Sequence, residues 1–397
     1  MLRAADKWLM GYLLSVLRRR RAAGTRRLIF CVADHFEPFR GGGVSAAQAR
    51  QDVHQWCRRY AQSAGGFRDA DGRPPRHTCF YPEEEYDAGC VDVLTDFCRR
   101  GLGEVEIHLH HRHDTPEGLR QKLVAFRDRL HGQHGLLGSG FRSQESGVGG
   151  QDVAGTQHPE PRPLNPYPSY AFVHGNWALC NSRPDGDWCG VNEELAILAD
   201  TGCYADLTFP SAPSPTQPRR VNSIYIARDR PGHPRGADCG RRVRAGFRVQ
   251  DSGGWGEARE LLLIQGPLGL DWGRRKWGVV PRLENAELSG ANLPSLARAD
   301  LWARQCIHVL GRPDWVFVKV HTHGLVPSNA EVLLGPAMRR LHEGLAAKYN
   351  DGRNWTLHYV TAREMFNLVA AATSGASGDP GPWRDWAVSP PPVATGC

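Results

Sequence analysis

Residues 104–115 read EVEIHLHHRHDT, an apolar strand that runs into a cluster of histidines. His108 and His110 are separated by one apolar residue, so their imidazoles lie on the same face of the predicted strand. Asp114 follows four residues after His110 and can approach the strand end from the next turn. Neutral imidazole is the commonest side-chain ligand for metal ions and titrates near neutrality. This stretch therefore predicts a metal site or an acid/base site at the end of a strand.

Other apolar segments along the chain have the composition of strands, and helical patterns separate most of them. Together with the first stretch, the predicted strands cover 27–33, 77–81, 104–110, 170–174, 204–209, 260–265, 315–321 and 355–360. Ser45 with Gln48, Thr115 before Pro116, and Thr361 with Glu364 mark helix starts. This alternation predicts an α/β fold whose parallel sheet is closed, or nearly closed, into a barrel. In such barrels chemistry gathers at the C-terminal ends of the strands.

The 397 residues are enough for one large α/β domain, and we find no internal repeat. We assign residues 1–26 to an amphipathic and basic N-terminal segment and residues 27–372 to the barrel. Residues 138–168 are rich in Gly, Ser, Gln and Pro, which predicts a long flexible insertion and makes it a candidate lid. Residues 373–397 have the same character, and we expect a disordered tail.

The formal net charge of +7 comes largely from local arginine runs such as 18–21. That distribution favours attraction to anionic surfaces over a nucleic-acid groove, so we expect no nucleic-acid partner. The chain has 11 cysteines, an odd number, and no CxxC motif. Most of them fall inside predicted strands and helices, where thiols behave as small apolar residues. A reducing cytoplasm fits this usage best.

The N-terminal apolar run, residues 8–17, is too short to span a bilayer. Its positive charge follows the apolar residues, which is the wrong order for a secretory signal. On a helix the run has one apolar face followed by four arginines, so residues 8–21 could lie on the inner face of a membrane as a peripheral contact. The alternative is a first helix packed on the domain with a solvated arginine tail.

Candidate site residues follow the first predicted strand in CVADHFEPF, residues 31–39. Asp34 and His35 come directly after its last apolar position. An aspartate and a histidine there can divide the work, one binding a metal and the other taking a proton from water. The alternative for Asp34 is a turn-forming or helix-capping residue, which is commoner after a strand.

The strand at 170–174 ends in FVHGNWAL, which supplies His174, Asn176 and Trp177. An aromatic face beside hydrogen-bonding groups suits a sugar ring, although Trp177 is equally explained as a structural residue under a loop. We therefore include these three residues in a candidate substrate site. Arg219 and Arg220, in a Pro-rich loop, could contact an anionic glycan or a diphosphate, or could simply be solvated.

The strand at 315–321 ends in His321, and His323 and Gly324 follow. A histidine on a strand opposite a metal is well placed to protonate a leaving group. The alternative, a core histidine with satisfied hydrogen bonds, applies to one of the two imidazoles.

These segments resemble the motifs of the polysaccharide deacetylase superfamily in chain order. ADHF resembles its first acidic motif and EIHLHHRHD its second, a strand that ends in histidine with a further ligand a few residues on. VHGNWAL with the following GVNEELAILADTGCYADLTFPSA is similar to its third motif, and VKVHTHG to its last. The resemblance covers roughly residues 27–370, and only the joint order of the motifs is specific.

The resemblance implies a single distorted, seven-stranded (β/α) barrel that holds one divalent ion, zinc by preference. It assigns Asp34 as general base and His321 as general acid, with His35, His110 and Asp114 as metal ligands. His35 stands where the family has an aspartate and Asp114 where it has a histidine, which leaves open whether Asp34 is the base or itself a ligand. The implied activity is removal of N- or O-acetyl groups from a carbohydrate in bacterial surface polysaccharide or exopolysaccharide biosynthesis.

Two other functions remain open from the sequence. One is a different metallohydrolase on a similar barrel, a glycoside hydrolase or a phosphoesterase. A glycosidase needs two facing carboxylates, for which Glu37, Glu106, Glu193 and Glu194 are the nearby candidates. The other is a non-catalytic, membrane-associated component of an assembly.

Overall fold

The computed structural model describes residues 3–20, 22–139, 168–246 and 260–395. The strands in these ranges are β1 (Arg26–His35), β2 (His77–Pro82), β3 (Gly103–Leu109), β4 (Gly138–Ser139), β5 (Pro168–His174), β6 (Cys203–Asp206), β7 (Ile224–Arg228), β8 (Gly240–Arg242), β9 (Glu260–Ile264), β10 (Gly269–Lys276), β11 (Val280–Glu284), β12 (Trp315–Thr322) and β13 (Trp355–Val360). The helices are α1 (Ala5–Leu17), α2 (Ala46–Ala64), α3 (Ala88–Arg99), α4 (Pro116–His134), α5 (Glu194–Asp200), α6 (Leu296–Arg304), α7 (Pro327–Leu333), α8 (Pro336–Tyr349), α9 (Ala362–Thr373) and α10 (Pro392–Thr395).

The α/β class is confirmed, with one large, mostly parallel sheet at its centre. Eleven strands join in the order β12-β1-β2-β3-β5-β6-β9-β7-β8, with β13 also beside β1 and β4 beside β5. The strands from β12 through β9 run parallel, while β7 and β8 are antiparallel additions at one end. All eight predicted strands are present. The sequence analysis missed β4, β7, β8 and the separate β10–β11 hairpin.

Within the described ranges, no ladder of hydrogen bonds joins β12 to the far end of the strand order, so the topology does not show a closed barrel. The sheet differs from the expected seven strands: eight strands run parallel, and β4, β7 and β8 add three antiparallel strands. Across the gap, the buried Lys319 ammonium on β12 donates to the carbonyls of Leu207 (2.6 Å) and Phe209 (2.7 Å), just after β6. Gly266, just after β9, lies so near β12 that an added Cβ would be 2.3 Å from the Lys319 carbonyl oxygen. The two sides of the sheet therefore face each other closely.

The side chains of β1 alternate between two cores, as the period of a strand requires. Leu28, Phe30 and Val32 pack in an outer core that includes residues of α2, α3 and α4. Ile29, Cys31 and Ala33 face an inner core shared with α9, whose residues are all buried. The predicted capping box of Thr361 and Glu364 begins α9. Because the side chains of β1 alternate, the His35 side chain follows that of Ala33 on the inner face.

The prediction of a disordered tail from residue 373 is wrong for the described residues 374–395. Ala387 and Val388 are buried, and so is Arg384. The Arg384 guanidinium pairs with Asp69 at 2.8 Å and Asp71 at 2.6 Å. Buried contacts and charge pairing therefore hold a segment whose composition is loop-like. Of the predicted insertion, the ends 138–139 and 168–169 pair as β4 and β5, and residues 140–167 lie outside the described residues.

Helix α1 has two apolar faces with different surroundings. Trp8 and Tyr12 are buried in a small core with Val221 and Leu268. The large apolar side chains exposed on the rest of the helix are Met10, Leu13, Leu14 and Leu17. The helix thus packs on the domain, as one of the two interpretations predicted, yet leaves much apolar surface uncovered. No helix in the described ranges combines the length and apolar character that crossing a bilayer demands.

Candidate functional site

Five side chains meet at the C-terminal ends of β1, β3 and β12, and we call them the mouth cluster: His35, Glu37, His108, His110 and His323. Possible ligand atoms of the first three lie within 4.8 Å of one another. Glu37 Oε1 is 3.3 Å from His108 Nε2, 3.7 Å from His110 Nε2 and 3.9 Å from His323 Nε2. A single carboxylate oxygen is therefore surrounded by imidazole nitrogens.

The inward alternation of the strands brings these imidazoles together. The His35 ring lies 4.7 Å from that of His108 and stacks at 4.6 Å on that of His323, between ring centroids. His108 and His110 are 4.5 Å apart, as neighbours on one face of β3 and its extension. Gly175 makes room for this packing, because a Cβ there would lie 2.3 Å from the His110 ring. The prediction that His108 and His110 share one face is confirmed.

The tautomer of His108 is fixed by its backbone contact. Its Nδ1 lies 2.7 Å from the carbonyl oxygen of Val173, which can only accept, so Nδ1 carries the proton. The Nε2 lone pair of a neutral His108 then faces the Glu37 carboxylate. Two acceptors at 3.3 Å repel unless a cation, either a proton or a metal ion, lies with them. The arrangement of a metal-binding histidine held by a carbonyl is common in metal sites.

The surroundings of His35 favour its neutral imidazole, and those of Glu37 favour its ionised carboxylate. Burial lowers the pKa of His35 well below its usual value, and the neighbouring His323 and His108 lower it further. Burial opposes ionisation of Glu37, but the hydrogen bond and charge of His108 outweigh it and lower the pKa of that carboxyl. Both groups are therefore in the forms that bind metal ions at neutral pH.

His110 has a carboxylate partner behind it. Its Nδ1 lies 2.5 Å from Glu84 Oε1, and its Nε2 faces the cluster. Burial lowers the pKa of His110, but the hydrogen bond and charge of Glu84 outweigh burial and raise it overall. A histidine held by a carboxylate in this way is suited to accept a proton.

Asp34, the predicted base, lies on the opposite side of β1 from His35. Its carboxylate accepts from the Gly324 amide at 2.6 Å and lies 2.8 Å from His77 Nε2. Adjacent residues of a strand point to opposite faces, so Asp34 and His35 do not share one site. Asp34 instead ties β1 to the loop that carries His323.

Asp114 and His174 belong to a second group of side chains. His111, His174, Cys189 and Glu194 are all buried, offer ligand atoms within 4.8 Å of one another, and could hold a metal ion. We call these four residues the buried cluster. Asp114 lies beside it, 3.4 Å from His111 Nδ1 and 2.8 Å from Lys122 Nζ.

The remaining predicted site residues lie beside the mouth cluster, within β12 or in a separate pocket. The Trp177 ring lies 6.2 Å from that of His35 and 6.3 Å from that of His323, with Asn176 beside it in the chain. His321 is buried on β12. Arg219 and Arg220 do not line the mouth cluster. With Arg18, Arg19 and Arg242, they line a cavity of about 300 Å³ beside α1.

Glu37, Glu84, His111, Cys189 and Glu194 are the site residues whose roles the sequence analysis missed, and His111, expected to be exposed, is buried. Glu37 follows His35 by two residues, and this HxE spacing was the available signal. Cys189 and Glu194 come from a loop and the start of α5, and no local pattern places them near β3. Comparison of the sequence with known proteins finds no matching family model and no matching curated protein.

Proposed function

We propose that this protein is a metal-dependent hydrolase that removes acetyl groups from a carbohydrate. The mouth cluster carries the proposal, because it places several imidazoles and one carboxylate at the open ends of parallel strands. Side chains of Glu37, His110 and His323 there are partly exposed, at 17%, 29% and 30%. A substrate can therefore reach the cluster.

The ligands we assign are His35, Glu37 and His108. Two histidines and one glutamate form a known ligand set of catalytic zinc sites, in which a fourth position stays open. The backbone contact of His108 and the low pKa of His35 support this assignment. When bound there, a zinc ion would supply Lewis acidity, polarising a substrate carbonyl and lowering the pKa of water.

The other residues of the mouth would move protons and hold the sugar. We assign His110, backed by Glu84, as the base that takes a proton from the attacking water at Nε2. His323 is the more accessible imidazole after β12, and we assign it to protonate the leaving amine. Trp177 offers an indole face beside both His35 and His323, which suits stacking on a sugar ring. These assignments move His110 from ligand to base and the acid from His321 to His323.

An incomplete barrel is part of the proposal. The Lys319 contacts and the close approach of Gly266 to β12 support a sheet that curls until its sides nearly meet. The mouth cluster would then occupy the C-terminal opening, where barrel enzymes carry their active sites.

A glycosidase is less well supported, because three of its four candidate carboxylates are engaged elsewhere. Glu106 is buried against Tyr204 and the Ala171 amide. Glu193 accepts from the Gly232 amide, and Glu194 belongs to the buried cluster. Glu37 remains, and the neighbouring Glu84 is engaged by His110.

The test measures metal content and product release together in purified full-length protein. We expect Glu37→Gln to lose the metal ion of the mouth cluster. It should also no longer release acetate from N-acetylglucosamine oligomers. His113→Ala is the matched control, since that imidazole belongs to the same histidine run but is 70% exposed. Acetate release by Glu37→Gln at the wild-type rate would contradict the proposal, and release of phosphate or free sugars in place of acetate would favour another hydrolase.

We also propose that α1 and the β10–β11 hairpin lie on an anionic membrane surface. Leu270 and Leu283 of the hairpin pack against the small core beneath α1, so the two elements are neighbours. Exposed apolar residues on these elements are Met10, Leu13, Leu14, Leu17, Trp272, Trp277 and Val279. Arginines and lysines flank them, and the combination is typical of interfacial binding.

Sedimentation with lipid vesicles tests this surface. The protein should bind vesicles that contain phosphatidylserine, less so at high salt, and bind vesicles of phosphatidylcholine weakly. Leu13→Glu with Leu17→Glu should abolish binding, whereas Leu293→Glu, an exposed residue outside both elements, should not. Equal vesicle binding by the wild type, the Leu13→Glu/Leu17→Glu double variant and Leu293→Glu would contradict the proposal.

A further inference from the structure

We propose that the buried cluster of His111, His174, Cys189 and Glu194 is a second, closed metal site that binds zinc for a structural purpose. This goes beyond the proposed hydrolase activity, which depends on the mouth cluster alone. The four residues come from the end of β3, the end of β5, the following loop and the start of α5. All four are buried.

The spacing of the ligand atoms fits a tetrahedral ion. Glu194 Oε1 is 3.2 Å from His111 Nε2 and 3.5 Å from His174 Nε2, and Glu194 Oε2 is 3.4 Å from Cys189 Sγ. Zinc bonds of about 2.0–2.3 Å in a tetrahedron separate neighbouring ligands by about 3.3–3.8 Å. The three observed separations, two from Glu194 Oε1 and one from Glu194 Oε2, are close to this range.

His174 shows most directly that a cation belongs here. Its Nδ1 contacts the carbonyl oxygen of Gly175, which can only accept, so the proton is on Nδ1. Its Nε2 is fully buried, has no hydrogen-bond partner among the described residues, and faces the Glu194 carboxylate. A bare nitrogen lone pair buried against a carboxylate is costly, and a metal ion between them removes that cost.

The surroundings of Cys189 are those of a thiolate ligand. The backbone amides of Asn181 and Val191 lie 3.3 Å and 3.4 Å from its Sγ, and both donate to the sulfur. The Cys180 amide donates to Glu194 Oε2 at 2.6 Å, which orients the carboxylate. Donors around the sulfur and the carboxylate are the outer contacts that position metal ligands.

Asp114 supplies the outer contact of the fourth ligand. Its carboxylate lies 3.4 Å from His111 Nδ1, so that His111 presents Nε2 to the cluster. A protonated His111 between Asp114 and Glu194 would balance the charges without a metal, but it would leave His174 Nε2 unpartnered. The metal site satisfies both imidazoles.

The site would fasten the loops that form the mouth. Gly190 lies against the Asp114 backbone, where an added Cβ would be 2.6 Å from the amide nitrogen. One ion would then link the end of β3, which carries His110, to the end of β5, just before Trp177. Full burial leaves no route for substrate, as expected of a structural site.

Cobalt substitution of the full-length protein tests this site separately from the mouth. A thiolate ligand gives Co(II) a sulfur-to-metal charge-transfer band in the near ultraviolet. We expect this band in the wild type and in Glu37→Gln, and its loss in Cys189→Ser and His111→Gln. Cys203→Ser, which changes another buried thiol, should keep the band.

Metal analysis completes the test. We expect Cys189→Ser to contain one ion fewer per chain than Cys203→Ser, and a strong chelator to lower the melting temperature of the wild type more than that of Cys189→Ser. The inference fails if the wild type lacks the band, or if Cys189→Ser keeps it. If Glu37→Gln loses acetate release but keeps the band, both sites are supported. If the wild type releases acetate but lacks the band, the closed site is overturned and the mouth site is not.

Discussion

His110 and His111 are consecutive in the chain and belong to different clusters. His110 Nε2 lies 3.7 Å from Glu37 in the mouth cluster, while His111 Nε2 lies 3.2 Å from Glu194 in the buried cluster. The strand ends at Leu109, and the two rings leave the backbone in opposite directions. One histidine run therefore serves two sites with different access to solvent.

The proton donor after β12 can be identified by comparing two substitutions. We expect His323→Ala to lower turnover of an N-acetyl sugar by roughly 10²–10⁴-fold, the usual contribution of a general acid. Turnover of an activated aryl acetate, whose leaving group needs no proton, should fall much less. If His321→Ala gives this substrate dependence and His323→Ala does not, the assignment from the sequence is right and ours is wrong.

Glu84 should position His110 without holding metal. Glu84→Gln is expected to lower kcat by roughly 10–100-fold, because the imidazole loses the carboxylate that orients it. KM and metal content should stay near the wild-type values. A Glu84→Gln protein that lacks the mouth ion would show that His110 is a ligand.

Gly324 should be intolerant of any side chain. A Cβ at this position would lie 2.0 Å from Asp34 Oδ2, so Gly324→Ala must displace the loop that carries His323. We expect turnover to fall while both metal sites remain filled. Gly66→Ala is a control for the loss of a glycine, since a Cβ there meets open space and the backbone has no positive φ. Wild-type turnover in Gly324→Ala would show that the Asp34 contact does not position the acid.

Glu364 should make stability depend on acid pH. Burial raises its pKa, but Arg76, Arg384 and other arginines outweigh burial and lower the pKa to about 2. Because the ordinary value is 4.5, the native state favours the ionised form, and its contribution is complete above that pH and lost as the pH falls toward 2.

Urea unfolding of wild type and Glu364→Gln measures this contribution. We expect the variant to lose about 3–5 kcal/mol near neutral pH, the usual cost of leaving buried charges unpaired. The difference should shrink progressively below about pH 4, since protonated glutamate resembles glutamine. A difference that does not change with pH would indicate a packing effect.

The C-terminal segment should be part of the folded domain. Arg384→Ala removes the partner of Asp69, Asp71 and Glu364, and we expect a loss of about 3–5 kcal/mol. Arg353→Ala, an exposed arginine in a loop, should change the free energy of unfolding by less than about 0.5 kcal/mol. Equal stability of the two variants would mean that the segment contributes little.

The strands and the inward direction of His108 and His110 were predictable, because both follow from the period of apolar residues. The same rule predicts that the side chains of Asp34 and His35 point to opposite faces of β1. The resemblance to a family motif nevertheless led us to place both in one site. Which face a residue takes beyond a strand end was not predictable, as His111 and Glu37 demonstrate. Cys189, Glu194 and the tail around Arg384 depend on contacts between distant parts of the chain. Composition alone carries no information about such contacts.

Lys319 connects β12 to the segment after β6 through its side chain. Its ammonium group donates to the carbonyl oxygens of Leu207 and Phe209, while the backbone of β12 bonds to Ala286, Leu288 and Ile307. The spacing between β12 and the segment after β6 therefore matches the length of a lysine side chain. A methionine would remove the donor to the Leu207 carbonyl, whereas the Phe209 carbonyl would still accept from the Gly266 amide at 2.9 Å. One side chain of β12 outside the mouth cluster thus helps to place the strand that leads to His323.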